Sequence, residues 1–273
     1  MYDNYLIGLR DGLEAGVVSC LLLTSAARSG RRNAPAPVRA GIGVAAALAL
    51  GFGWALTFGS QELTPRARET LGGMLSLAAV GLLTWVVLRV RRAEARHVPA
   101  LLAVTAFLAV GREALDTALF FWASAQASRD GSHGPLLVVV LGLLTALLLV
   151  GLLRLGAARV GPDRFRIWSG VALIVVAAGF LAHGVDALQE AELLGGSRNA
   201  AFDLGGAVPP DSWYGALLAG VLSFRPDPTV LQVVVWPLYA VPALALLARV
   251  SRTPSPGSNS RAYDRRSPVD RHL

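Results

Sequence analysis

The chain alternates between long apolar runs and short polar gaps. Seven runs are long enough to cross a bilayer as helices, at about 5–27, 38–58, 70–90, 99–126, 135–157, 167–188 and 230–250. The fourth has length to spare for tilting or projecting beyond the bilayer. Glycines recur within the runs, as at Gly41, Gly43, Gly51 and Gly53. Small residues there let membrane helices approach closely, so they read as packing positions.

The gaps carry a charge pattern of their own. The first, Arg28 to Arg39, holds four arginines and no acid. The second balances Glu62 and Glu69 against Arg66 and Arg68, and the third sets Arg89, Arg91, Arg92 and Arg96 against Glu94. The fourth holds only Arg129 and Asp130, whereas the fifth has Arg159, Arg164 and Arg166 against Asp163. In the long sixth gap Glu190, Glu192, Asp203, Asp211 and Asp227 outweigh Arg198 and Arg225, and the tail is arginine-rich again. Basic gaps stay in the cytoplasm, so this alternation places the N-terminus outside and the C-terminus inside, with an odd number of spans between.

Two stretches lie outside this pattern. Residues 189–229 form an external loop in which Ser212 to Phe224 is apolar but too short to span. It predicts an interfacial or re-entrant helix with Asp211 or Ser212 as N-cap. The tail, 251–273, is rich in Ser, Pro and Arg and reads as disordered cytoplasmic sequence. The rest, 1–250, is one membrane domain.

Composition agrees with membrane embedding. Hydrophobic residues make up 54%, charged ones 16%, and the mean hydropathy is +0.53, all against a soluble protein. The formal charge of +7 comes from arginines in the gaps, which excludes the basic face of a soluble nucleic-acid binder. A single cysteine, Cys20, excludes an intramolecular disulfide and a Cys-based metal site. The N-terminus lacks the basic start of a cleavable signal peptide, so the first span is expected to remain.

Charge inside the spans changes the picture most. The first run contains Arg10-Asp11-Gly12-Leu13-Glu14, and 102 residues later the fourth contains Arg112-Glu113-Ala114-Leu115-Asp116. Ionisable groups within a span are costly and usually face a protein interior or an ion path. The first and fourth spans run in opposite directions. The chain therefore predicts two inverted three-span repeats, about 5–90 and 99–188, with 230–250 as an added seventh span.

At about 100° per helical residue, the three charges of each motif share one face. The spacing permits Arg10–Glu14 and Arg112–Asp116 pairs and leaves Asp11 and Glu113 freer to face the opposite helix. Four carboxylates and two guanidinium groups sum to −2, a site suited to a hard cation. Asp11, Glu14, Glu113 and Asp116 are the candidate ligands, with Arg10 and Arg112 orienting them and balancing charge. Fe²⁺ would bring the sum to zero and Fe³⁺ to +1. Another divalent cation, or protons relayed along the carboxylates, fits the same pattern. So does a membrane scaffold or signalling subunit whose ion pairs are only structural. No nucleophile–base constellation marks an enzyme, and no P-loop marks an ATPase.

The doubled motif, its placement and the seven-span plan resemble the high-affinity iron permeases of fungi and bacteria. Their hallmark is Arg-Glu-x-x-Glu, commonly Arg-Glu-Gly-Leu-Glu, in the first and fourth of seven spans. The resemblance extends to a proline-containing last span, with Pro237 and Pro242. The chain departs from the hallmark with Asp at 11 and 116 and Ala at 114; Asp keeps the charge on a side chain one methylene shorter. The resemblance implies multi-pass residence in the cell membrane and uptake of ferric or ferrous iron as cargo, with no permanently bound cofactor. It further implies an extracytoplasmic partner, a ferroxidase in fungi and an iron-binding or haem-peroxidase-like protein in bacteria. It leaves open a homo-oligomer. Acidic residues occur in this family where span six meets the external loop, so Asp186, Glu190 and Glu192 are candidates for the point of access, or else a solvated helix end. His183 reads as an accessory ligand or a hydrogen-bonded packing histidine. His97, His133, His272, Gln126 and Glu62 carry no evident role.

Overall fold

The computed structural model describes residues 2–28, 34–58, 64–89, 98–127, 134–196 and 199–252. They form eight helices: α1 (Tyr2–Ala27), α2 (Pro35–Phe58), α3 (Pro65–Arg89), α4 (Val98–Ala127), α5 (Gly134–Arg159), α6 (Pro162–Glu190), α7 (Trp213–Leu222) and α8 (Val230–Arg252). The helices follow the apolar runs but start earlier, because a proline opens or nearly opens each from α2 to α6. Proline suits the first turn, where its missing N–H would have no partner anyway. The tail from 253 onward, His97, His133, His272 and Glu62 lie outside the described residues.

Five helices, α2, α3, α5, α6 and α8, are long and apolar enough to cross a membrane. Of the other two long helices, α1 and α4, each carries one charged motif. The outward faces of α2, α5 and α8 leave large apolar side chains uncovered, among them Leu48, Trp54, Leu144, Leu148, Leu152 and Leu238. In water such a surface would be an aggregation liability, and in hydrocarbon it is the ordinary exterior. The fold is that of a polytopic membrane protein.

The buried core draws on α1, α3, α4 and α6, with Val18, Leu22, Leu83, Ala106, Ile174 and Phe180 among its members. Around it α1 lies against α5, α2 against α4, and α3 against α6. Glycine makes the first two of these contacts close. A Cβ on Gly142 of α5 would sit 2.2 Å from the Tyr5 carbonyl oxygen, and one on Gly41 of α2 would sit 2.1 Å from that of Ala103. The packing reading thus holds at Gly41 and fails at Gly43 and Gly51, where a Cβ would meet nothing within 4 Å. Those two face outward, where no neighbour constrains them.

At one end of the bundle, Arg28 donates to the carbonyl oxygens of Ala157 at 2.7 Å and Val160 at 3.1 Å, with its guanidinium 4.1 Å from the Phe165 ring centroid. A cation at the last carbonyls of α5 is favoured by the helix dipole. At the other end, Thr229 and Gln232 cap α8 reciprocally. The Thr229 amide donates to Gln232 Oε1 at 2.6 Å, and the Gln232 amide donates to Thr229 Oγ1 at 3.3 Å. Thr229 also donates to Gln189 Oε1 at 2.8 Å, and an antiparallel bridge joins it to Ala200. These bonds tie the long loop to the end of α6.

Candidate ion site

The charged motifs meet where α1 crosses α4. Thr117 donates to Asp11 Oδ2 at 3.4 Å, and Arg112 Nη2 donates to Glu14 Oε2 at 2.6 Å. Residue 11 lies by 117 and residue 14 by 112, so the two helices run antiparallel at this point. That register sorts the four acids into two tiers. Asp11 and Asp116 belong to one, nearer the start of α1, while Glu14 and Glu113 belong to the other. Both departures from the Arg-Glu-x-x-Glu pattern therefore fall in the same tier.

Arg112 organises the glutamate tier. Its Nε donates to Glu113 Oε1 at 2.6 Å, its Nη1 lies 3.4 Å from Ser76 Oγ on α3, and its guanidinium stands 4.7 Å from the Phe180 ring centroid on α6. Four helices thus hold one side chain that is only 2% exposed. A buried guanidinium needs such a shell, because an unpaired buried charge is far more costly than a paired one. Arg10 is held differently. It reaches Glu14 through a single contact of 3.2 Å and is 41% exposed, so Glu14 is shared between a fixed arginine and a loose one.

The predicted Arg10–Glu14 pair is present, but the pairing expected along α4 gives way to contacts across helices. Arg112 turns to Glu113 and Glu14, while Asp116 lies 4.0 Å from Arg68 Nη2 on α3. Glu113 is accordingly engaged with its own neighbour rather than left free. The reason is tertiary: once α4 is buried against α1 and α3, closer partners outcompete the pair at i,i+4. In this arrangement guanidinium groups occupy much of the acids' binding capacity. Among the described residues, no three His, Cys, Asp or Glu side chains stand close enough together to hold a metal ion.

The secondary candidates separate cleanly. Asp186 is buried and paired with Arg225, whereas Glu190 and Glu192 are exposed. His183 is half-buried, three residues from Phe180 and three from Asp186, so all three lie along one face of α6. That line runs from the Arg112 guanidinium to Arg225. Arg225 has its pKa pulled down, chiefly by desolvation, while Asp227 and Glu69 act in the opposite direction. Cys20 is buried with its Sγ 4.0 Å from Thr24 Oγ1, on a part of α1 beyond the motif.

Ser76, Phe180, Thr117, Arg68 and Arg225 are the participants that reading the sequence missed. Nothing in an apolar helix marks one serine or phenylalanine as the neighbour of a buried arginine. The two outer arginines looked like ordinary loop charge. Only the Thr229-x-x-Gln232 capping pattern offered a readable local signal.

Comparison with known proteins gives the geometry its family. No solved structure matches the chain. The ferrous iron permease EfeU of Shigella sonnei is 31% identical over 277 residues, covering 95% of this chain and all of the relative. The protein of that name from Escherichia coli O157:H7 matches to the same extent, at 31% identity over 95% of this chain and all of that relative. The Yersinia pestis ferrous iron permease EfeU is 29% identical over 263 residues, covering 90% of this chain and 93% of its own length. A model of the iron permease FTR1 family matches residues 1–253, which takes in both charged motifs, all eight helices and the loop between α6 and α8: the chain belongs to the iron permease FTR1 family.

Proposed function

We propose that this protein imports iron across the cell membrane, and that the ion crosses where α1 meets α4, passing from the aspartate tier to the glutamate tier. The observation that carries this reading is the shared Glu14, a buried carboxylate joined to both motifs through Arg10 and Arg112. Family membership supports a transporter rather than an enzyme. Iron is cargo, bound by Asp11, Glu14, Glu113 and Asp116 in passing, while the arginines keep binding weak enough for release. Ferrous iron is the favoured form. The relatives are named for it, and two positive charges neutralise the formal −2 of the paired motifs.

Seven membrane-spanning helices, with the N-terminus outside and the C-terminus in the cytoplasm, complete the reading. The packing supports two inverted repeats. The second helix of each half lies against the first helix of the other, α2 on α4 and α5 on α1, with α3 facing α6 between them. Gly41 and Gly142 make the corresponding close approaches. An iron-handling extracytoplasmic protein would deliver the ion at the end where Asp186 lies.

The test is uptake of radiolabelled iron, kept ferrous with ascorbate, by cells producing Glu14→Gln or Glu113→Gln at normal protein level. Uptake is expected to fall to background. Unchanged uptake would sink the ligand role. Competition by manganese, magnesium and calcium tests the choice of ion.

A further inference from the structure

The long loop between α6 and α8 enters the bundle. Ser212 caps α7, accepting from the Gly215 amide at 3.0 Å. From there ten residues descend about 15 Å, half the thickness of a hydrocarbon core. A Cβ on Gly220 would lie 3.0 Å from the Arg10 carbonyl oxygen and 2.8 Å from Leu13 Cβ, so α7 runs beside the first charged motif. It stops at Ser223, which takes the left-handed conformation at φ 51°. Ser223 lies at the middle of α6, where a Cβ on Gly179 would fall 2.4 Å from Ser223 Cβ. Gly179 adjoins Phe180, the ring beneath Arg112. The tip of the loop is thus level with the motifs.

The chain then climbs back along α6. Arg225 meets Asp186, two turns above Gly179, and Thr229 meets Gln189 one turn higher. The descending limb is helical and the returning limb irregular, which is a re-entrant hairpin. The negative end of the α7 dipole points inward, toward a path that carries cations. The returning limb is pinned by the Gln189–Thr229–Gln232 hydrogen bonds, the Ala200 bridge, bonds from the Ala201 and Leu204 amides to the Pro228 and Pro226 carbonyl oxygens, and the Arg225–Asp186 ion pair. Of these the ion pair is the contact that a cation can undo, and Arg225 has a second acid to turn to, with Asp227 Oδ1 3.9 Å from its Nε. Asp186 is 10% exposed and Arg225 36%, so the carboxylate is enclosed while its partner has room to leave.

We propose that Ser212–Thr229 is a hairpin closing the access route above the charged motifs, and that Arg225 is a tethered cation holding it shut until an arriving iron ion takes Asp186. This rests on the iron-import reading. It adds that the ion opens its own path by exchange at one carboxylate, and that Arg225 is a positioning residue for it.

The experiment places a single cysteine at residue 223 (Ser223→Cys) in a Cys20→Ser background and follows its reaction with a membrane-impermeant maleimide in proteoliposomes. Ferrous iron is expected to raise the labelling rate roughly fivefold, the effect of losing an ion pair of this exposure, and magnesium is not. Arg225→Gln should label at the raised rate without iron and show no further response. Asp186→Asn should do the same. Phe224→Cys, at a half-buried position beside Ser223, provides a second reporter should the first fold poorly. A rate that is unchanged by Arg225→Gln, or by iron in the parent, overturns the proposal. Radiolabelled iron uptake is measured in the same vesicles: uptake with unresponsive labelling removes the latch alone, whereas no uptake in the Cys20→Ser parent removes the import reading beneath it.

Discussion

Arg10 and Arg112 hold equivalent places in a duplicated motif, yet the bundle treats them as different devices. Arg112 is enclosed by α1, α3, α4 and α6 and satisfied on every side, while Arg10 has a single acid contact and a face open to its surroundings. Removing Arg112 leaves Glu113 in the core without its cation and Glu14 with only the loose Arg10. Arg112→Gln is therefore expected to destabilise the protein by about 3–5 kcal/mol, the usual loss when one partner of a buried pair is deleted. Arg10→Gln should cost about 1 kcal/mol or less, as exposed pairs do. Thermal unfolding of the purified variants in detergent checks this, and equal losses would mean the two arginines are alike after all. The motif itself was legible at this scale, because charges in an apolar run cannot be accidental in number and spacing twice. Its partners were not. Ser76 and Phe180 look like any other residues of α3 and α6, and only the crossing of the helices brings them to Arg112.

At the scale of elements, run length was a sufficient guide to the helices, since a segment in lipid must satisfy its own backbone and does so as a helix. Which helix meets which was not written in the runs. An all-apolar face packs equally well on lipid or protein, so only steric detail decides. Gly142 and Gly43 make that point together. Both are glycines in apolar helices, but a Cβ on the first would meet the Tyr5 carbonyl oxygen at 2.2 Å and on the second would meet nothing. Gly142→Ala is expected to cost about 1–3 kcal/mol through overpacking of α5 on α1. Gly43→Ala should be neutral or gain up to about 1 kcal/mol from helix propensity. Apparent melting temperatures in detergent separate the two, and a stable Gly142→Ala protein would contradict the close approach. The loop between α6 and α8 was the element least visible in advance. Its short apolar stretch suggested a helix capped at Asp211 or Ser212. That Ser212 forms the cap, and that the helix dives beside Arg10, follow from contacts with α1 and α6 that no local pattern encodes.

For the whole molecule, the proposed import depends on which way the bundle faces. Asp186, Asp116, Asp11 and Arg68 all lie toward the end where α1 begins and α6 finishes, and Arg28 caps α5 at the opposite end. In the proposed topology the arginine-rich gaps put that second end in the cytoplasm, and the acids would then form an external approach to the motifs. Single cysteines in a Cys20→Ser background test the assignment directly. Asp3→Cys and Thr64→Cys should react with an impermeant maleimide on intact cells, whereas Ala34→Cys and Arg159→Cys should react only after permeabilisation. Labelling of residue 34 from outside would reverse the bundle, making the Asp186 end an exit and Arg225 a guard against backflow. A fifth position, Val98, tests the repeat. Inverted halves require that the start of α1 and the start of α4 lie on opposite sides, so Val98→Cys must behave like Ala34→Cys and unlike Asp3→Cys. If residues 3 and 98 label from the same side, the two motifs cannot be related by an axis in the membrane plane, and their antiparallel crossing would need another origin.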